Sequence, residues 1–174
     1  MNRSAEAFRK GVLARVDAKE GYEYGKESRI GTDCSGLPSG ALIEMGYKIR
    51  TDANELYHKI FTIPVLEHDE LDLDRIMAVF YVMQKAWKKL DGTKMPPDTA
   101  RHVSPVVGRY VVADADWERD KVLLKTAKEV RLELEKVGAR AVWREIDWDA
   151  ACRYSGILYY NPDPELTGSI NNTD

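Results

Sequence analysis

Apolar residues change their spacing several times along the chain, and each change marks an element. Between residues 3 and 18, Ala7, Phe8, Val12, Leu13 and Val16 recur three and four apart, which predicts a helix with one face to bury, ended by Gly21. After a polar loop through Gly31, Leu37, Ala41, Leu42 and Met45 resume the helical rhythm, and Gly46 stands where a C-cap glycine belongs. Pro38 has no N–H and is tolerated only near a first turn, so this helix begins close to Cys34, with Thr32 or Asp33 as its cap. Thr51 is placed to cap a second short helix, TDANELYHKI.

The run Ile76 to Met83 (IMAVFYVM) reads as a buried strand by its Val, Phe and Tyr content. Its extension through Gln84, Ala86, Trp87 and Leu90 reads equally well as a helix, and periodicity does not choose. Residues 91–100 form a loop by their Gly and Pro content. His102 to Val107 and Tyr110 to Ala113 predict two short strands turned at Gly108-Arg109. Beyond them Leu123, Ala127, Val130, Leu134 and Val137 fall four and three apart with charges between. That predicts an amphipathic helix over 118–137, about 20 residues and ~30 Å long, closed by Gly138. Val142 to Ile146 is expected to return as a strand, and Cys152 to Tyr160 as a last buried strand. The sum is an α+β domain over residues 1–162, followed by a loose tail over 163–174.

Composition narrows the function. A chain of 174 residues is long enough for one domain with a sizeable core. The 26 basic and 29 acidic residues, with no dense basic run, make no case for a nucleic acid or an anionic membrane as partner. IMAVFYVM is far shorter than the roughly 20 residues that span a bilayer. The N-terminal MNRSAEAFRKGVLARVDAKE holds no signal-peptide apolar region, as expected of a chain exported by a dedicated route or of one whose leader has been removed. The two cysteines, Cys34 and Cys152, permit one bond but no disulfide scaffold. Cysteine and histidine spacing does not resemble a zinc site, and no metal or other cofactor is expected.

Candidate chemistry begins at Gly31-Thr32-Asp33-Cys34-Ser35-Gly36-Leu37. A cysteine at a helix start meets unpaired N–H groups and the positive end of the helix dipole, both of which favour a nucleophilic thiolate. Such a nucleophile also needs a base and an acceptor that orients the base. Three histidines are available. His58 lies in the short helix and His68 in the acidic loop EHDE, where solvated roles suffice. His102 opens a Val-rich strand able to hold its ring rigidly.

The stretch Asp33 to Leu37, DCSGL, resembles the nucleophile motif of the NlpC/P60 family of papain-like cysteine peptidases, which cut the peptide stems of bacterial cell walls. Tyr22-Glu23-Tyr24-Gly25 is similar to the family's upstream tyrosine segment. Ile49-Arg50-Thr51 resembles its proline-arginine-threonine stretch, with Ile49 in place of proline. His102-Val103-Ser104-Pro105-Val106-Val107-Gly108 resembles the strand that opens with the family base. Asp114, followed by Ala115, occupies the place of the third polar residue, usually His, Asn or Gln. Asp116 is a competitor on the same side of the strand. The strand expected before the histidine is matched only by Asp74 to Phe80. Cys34 and His102 lie farther apart in sequence than is usual, and the 118–137 helix is an addition to the family core.

The resemblance implies a papain-like fold with its N-terminal helices, the nucleophile helix among them, packed on a small antiparallel sheet. It implies hydrolysis of peptidoglycan stem peptides at a D-glutamyl–diamino acid bond through a thioester. Cys34 would be the nucleophile, His102 the proton carrier and Asp114 the orienting acceptor, with the Tyr22 hydroxyl and the Cys34 N–H facing the oxyanion. Asp33, Ser35 and Arg50 would stand on the substrate side, Arg50 alternatively as a structural residue. The site of action would be the cell wall or periplasm, reached by a phage lysin, a virion enzyme or an exported toxin. Two other readings stand beside it. One is an acyl-amide hydrolase or acyltransferase on a related scaffold. The other is a structural or partner-binding module of a phage or secretion assembly, with self-association through the 118–137 helix.

Overall fold

Helix α1 (Ala5–Asp17) starts where Ser4 Oγ accepts a hydrogen bond from the Ala7 N–H at 3.1 Å, an N-cap just ahead of the periodic apolar residues. The computed structural model describes residues 3–18, 21–22, 31–66 and 74–156. Strands β1 (Gly21–Tyr22) and β2 (Gly31–Thr32) pair in parallel and set Tyr22 opposite Thr32. Helix α2 (Gly36–Glu44) carries Pro38 in its first turn and runs out at Gly46, whose φ of 101° is left-handed. Helix α3 (Ala53–Lys59) is capped by Asp52, which accepts from the Glu55 N–H at 2.8 Å. Thr51, expected as that cap, instead donates its hydroxyl to the Glu55 carboxylate.

Strands β3 (Ile63–Pro64), β4 (Met77–Met83), the hairpin β5 (Trp87–Lys88) and β6 (Lys94–Met95), β7 (Thr99–Gly108) and β8 (Val111–Asp116) follow. Then come β9 (Lys121–Thr126), α4 (Ala127–Glu135), β10 (Ala139–Glu145) and α5 (Trp148–Ser155). Six strands form one antiparallel sheet in the order β3-β10-β4-β7-β8-β9. Every residue of β4 is buried, which explains its unbroken apolar sequence. Ala78, Phe80 and Val82 join the core that holds Phe8 and Val12 of α1, Leu37 and Leu42 of α2, Leu56 of α3 and Ala151 of α5. Met77, Val79, Tyr81 and Met83 join the second core, under Ala127 and Val130 of α4 and Trp143 of β10. Strand β4 is thus the partition between two layers of packing.

Further expectations are corrected. The 118–137 helix is a strand followed by a short helix. Residues 121–126 pair along the whole of β8, and hydrogen bonding to that open edge outweighs a helical spacing that continues upstream of 127 only by coincidence. The helix starts at a capping box. Thr126 Oγ1 accepts from the Glu129 N–H at 3.1 Å, and Glu129 accepts from the Thr126 N–H at 2.8 Å. Ala127 and Val130 of the expected self-association face pack on the protein's own sheet, while Val137 of that face is exposed. The last strand expected at Cys152 is helix α5. Asp147 caps it through the N–H groups of Asp149 and Ala150 at 3.0 and 3.1 Å, and Gly156 at φ 69° ends it. Residues 157–160, and the tail over 163–174, lie outside the described residues. The ambiguous extension beyond Met83 is the β5–β6 hairpin, so the 91–100 loop contains a strand.

The C-terminal half of α2 is held against α1. Arg15, buried in the contact, donates to the Gly11 carbonyl at 2.8 Å and lies 3.4 Å from Glu44 Oε1. A Cβ at Gly11 would stand 3.1 Å from Ala41 Cβ, so the two helices meet at near-minimum separation. Gly11→Leu is therefore expected to destabilise the fold by about 1–3 kcal/mol through overpacking. Urea unfolding checks it, and an unchanged midpoint would contradict this close approach.

Candidate active site

Asp33 builds the turn that carries Cys34. Its Oδ1 accepts from the Gly36 N–H at 2.7 Å and from the Ser35 hydroxyl at 3.0 Å, so it caps the first turn of α2. Arg50 closes the same turn. Its Nη2 lies 3.4 Å from Asp33 Oδ2, and its Nη1 donates to the Thr51 carbonyl at 2.9 Å and to Ser35 Oγ at 3.3 Å. The three residues assigned to the substrate side therefore brace one another behind the thiol. Cys34 itself is half-buried. It and the fully buried Cys152 are both free thiols, so the bond that the sequence permitted is not formed.

His102 reaches the site by a β-bulge. Strand β4 pairs Val82 with Ala100 and Tyr81 with His102, leaving Arg101 as an extra residue on β7. The bulge re-aims the strand, so that Ala100 and Val103 both enter the helix-side core while His102 faces the other way, its ring 5.7 Å from that of Tyr81. His102 Nε2 lies 2.5 Å from Asp114 Oδ1. The Cys34 thiol is the ring's second electrostatic neighbour, and both side chains line the same cleft. Asp114, and not Asp116, contacts the imidazole. Asp116 turns to the Arg119 N–H at 2.9 Å and to Lys125 at 2.8 Å.

Lys125 is the member that sequence reading missed. Its side chain is 5% exposed, and Nζ lies 2.8 Å from Asp114 Oδ2, 2.8 Å from Asp116 Oδ2 and 3.2 Å from Glu133 Oε2. No pattern marks it while residues 121–126 are read as helix. It becomes legible only once they form the strand beside β8, where Lys125 stands opposite Val112 on the face that carries Asp114. Of the remaining candidates, His58 is exposed on α3 against Tyr57, and His68 lies outside the described residues. The backbone of Tyr22 runs beside Thr32, two residues ahead of Cys34, and its side chain lies outside the described residues.

Electrostatics follow from this packing. Burial pushes the His102 pKa down, but the Asp114 carboxylate and the Cys34 thiol outweigh it and hold the ring at about 10. Burial pushes Asp114 up, yet His102 and Lys125 together keep its carboxyl well below the usual range. Burial opposes charge on Lys125 as well, and Asp114, Asp116 and Glu133 override it and raise the ammonium pKa. His102 thus has a folded pKa above its ordinary value near 6.5. Its contribution to stability is complete below pH ~6.5 and is lost as pH rises toward about 10. The stability difference between wild type and His102→Gln should shrink across that window, at roughly 1.4 kcal/mol per pH unit. Urea unfolding at several pH values checks it, and a difference independent of pH would contradict the charged pair.

Cys34, His102 and Asp114 line one cleft of ≈ 720 Å³. Arg50, Lys88, Arg101 and Trp87 are among its lining residues, and Trp87 is pinned by its Nε1–H donating to Thr99 Oγ1 at 2.8 Å. Trp117, Glu133, Leu134 and Val137 line it as well. Among the described residues no group of three His, Cys, Asp or Glu side chains is arranged to hold a metal ion.

Helices packed on one antiparallel sheet, with a cysteine at the start of one helix, give the chain an α+β fold. Solved structures share it. NlpC1 from Trichomonas vaginalis matches at TM-score 0.52 and 16% identity, over 84% of this chain and 44% of that one. The peptidoglycan hydrolase RipB from Mycobacterium tuberculosis matches at TM-score 0.51 and 19% identity, over 83% of this chain and 67% of that one. No protein-family model and no curated protein matches the sequence.

Proposed function

We propose that this protein is a cysteine peptidase that hydrolyses the peptide stems of bacterial peptidoglycan, at a D-glutamyl–diamino acid bond. The observation that carries the reading is the placement of Cys34, at the capped start of α2, against a His102 ring that is itself held by buried Asp114. That RipB, which shares the fold, is a peptidoglycan hydrolase supports the substrate class. Cys34 Sγ attacks the amide carbon, and the Cys34 N–H receives the oxyanion, with the Tyr22 hydroxyl as the second donor that the motif resemblance implies. The tetrahedral intermediate collapses as the His102 imidazolium gives its proton to the leaving amine, leaving a thioester. Water then attacks the thioester carbon, losing a proton to His102, and Cys34 leaves as the thiolate. Asp114 accepts from Nε2–H throughout and keeps Nδ1 aimed at the thiol.

Lys88 and Arg101 stand among the cleft-lining residues as groups able to meet the carboxylates of a stem peptide, in a lining that also carries Asp52, Asp116 and Glu133. Asp33, Ser35 and Arg50 support catalysis chiefly by fixing the Cys34 turn. The enzyme would act at the cell wall or periplasm. Among the described residues no helix is long and apolar enough to cross a membrane.

One observation favours a second reading. Leu90 and Trp117 are 63% and 64% exposed and both line the cleft, an apolar surface suited to an acyl chain. An acyl-amide hydrolase would use the same three residues. Parallel incubation with stem peptides and with acylated amines separates the two. Release of a diamino acid amine by the wild type but not by Cys34→Ala supports the peptidase, and turnover of acylated amines alone would replace it.

A further inference from the structure

We propose that Lys125 is a positioning residue of this site, which clamps the outer oxygen of Asp114 and tempers the charge that Asp114 presents to His102. The inference rests on reading Cys34 and His102 as the working pair. The two oxygens of Asp114 are divided between two cations. Oδ1 faces His102 Nε2 at 2.5 Å, with the Ser104 hydroxyl at 3.4 Å, and Oδ2 faces Lys125 Nζ at 2.8 Å. A carboxylate held at both oxygens cannot rotate, so β8 and β9 together set the aim of the ring at Cys34.

A buried ammonium is retained only where carboxylates compensate its lost hydration. Lys125 has Asp116 from β8 and Glu133 from α4 for that purpose, besides Asp114. The charged and titratable groups around the clamp are Cys34 from the start of α2, His102 from β7, Tyr81 from β4, Asp116, Arg119 and Glu133. Within that set Lys125 does two things. It fixes geometry, and it draws part of the Asp114 charge away from the imidazole. The second matters because an imidazolium held too tightly gives its proton poorly to a leaving amine. A lysine that served only to hold β9 against α4 would do neither.

The test compares Lys125→Met, Lys125→Arg and Glu133→Gln with wild type. The titration of the His102 ring is followed by NMR, and kcat and KM are measured on a purified stem peptide containing a D-glutamyl–diamino acid bond. Lys125→Met is expected to move the ring titration to higher pH and to lower kcat at least tenfold, with KM within twofold. Lys125→Arg is expected to restore much of both. Glu133→Gln leaves Lys125 with one competitor fewer and is expected to move the ring titration to lower pH. A folded Lys125→Met protein with unchanged titration and unchanged kcat would overturn the proposal. If that variant does not fold, Glu133→Gln decides, and the absence of a downward movement would overturn it. The ring titration needs no substrate, so a wild-type protein inert on stem peptides would count against the peptidase reading alone.

Discussion

Asp114→Ala is expected to cost about 3–5 kcal/mol of stability and to slow stem-peptide cleavage by roughly 10²- to 10⁴-fold. The stability loss follows from what the side chain leaves behind. Asp114 is 3% exposed and stands between two cations, His102 and Lys125, at 2.5 and 2.8 Å. Removing one partner of a buried pair strands the other, and here Lys125 retains Asp116 and Glu133 while His102 loses its one carboxylate partner among the described residues. Burial then dominates at the ring, and the imidazole becomes neutral at a pH where wild type holds it charged. The activity loss follows from the same event, because the ring loses both its proton and its aim. Asp114→Asn keeps the shape and removes the charge, so its stability loss is expected to be smaller while its loss of cleavage stays within the same range. Urea unfolding and steady-state kinetics on both variants check this. A stable, fully active Asp114→Ala protein would show that the carboxylate is neither a keystone nor an orienter.

Cys34→Ala is expected to give the opposite pattern, with cleavage reduced at least 10⁴-fold and stability changed by no more than about 1 kcal/mol. The thiol is half-buried at the mouth of the cleft, so a smaller side chain leaves no sealed cavity. The turn around it is fixed by Asp33, Ser35 and Arg50, none of which bonds to the sulfur. What the substitution removes is the nucleophile and one of the two groups that hold His102 charged. Kinetics and thermal melts on the purified variant measure both halves. Retained turnover would remove the covalent mechanism altogether.

The nucleophile turn was the most legible part of the chain because it is local. Pro38 and Gly46 bound α2 within a few residues, and DCSGL supplies a cysteine and its capping aspartate together. His102 and Asp114 were legible as residues, by their spacing and by the strands that carry them. The bulge at Arg101 that turns His102 inward depends on pairing with β4, which no local pattern encodes. The same limit explains the errors. Lys121–Thr126 is a strand because β8 offers an open edge, although its leucine and valine also fit a helix that starts only at the Thr126–Glu129 capping box. Lys125 vanished with that misreading, since a lysine on a solvated helix attracts no notice and a lysine facing three carboxylates does. Helix α5 was missed because three of its four buried residues, Ala150, Ala151 and Cys152, are consecutive and small, while the Asp147 cap and Gly156 stop were the better signals.

The central claim is that Cys34 cuts a peptide bond of the cell wall. Incubation of wild type and Cys34→Ala with purified peptidoglycan, followed by mass spectrometry of the soluble products, tests it most directly. Wild type is expected to release fragments with a newly freed amino group on the diamino acid, and Cys34→Ala to release none. Equal release by both proteins, or products cut only within the glycan strand, would contradict it.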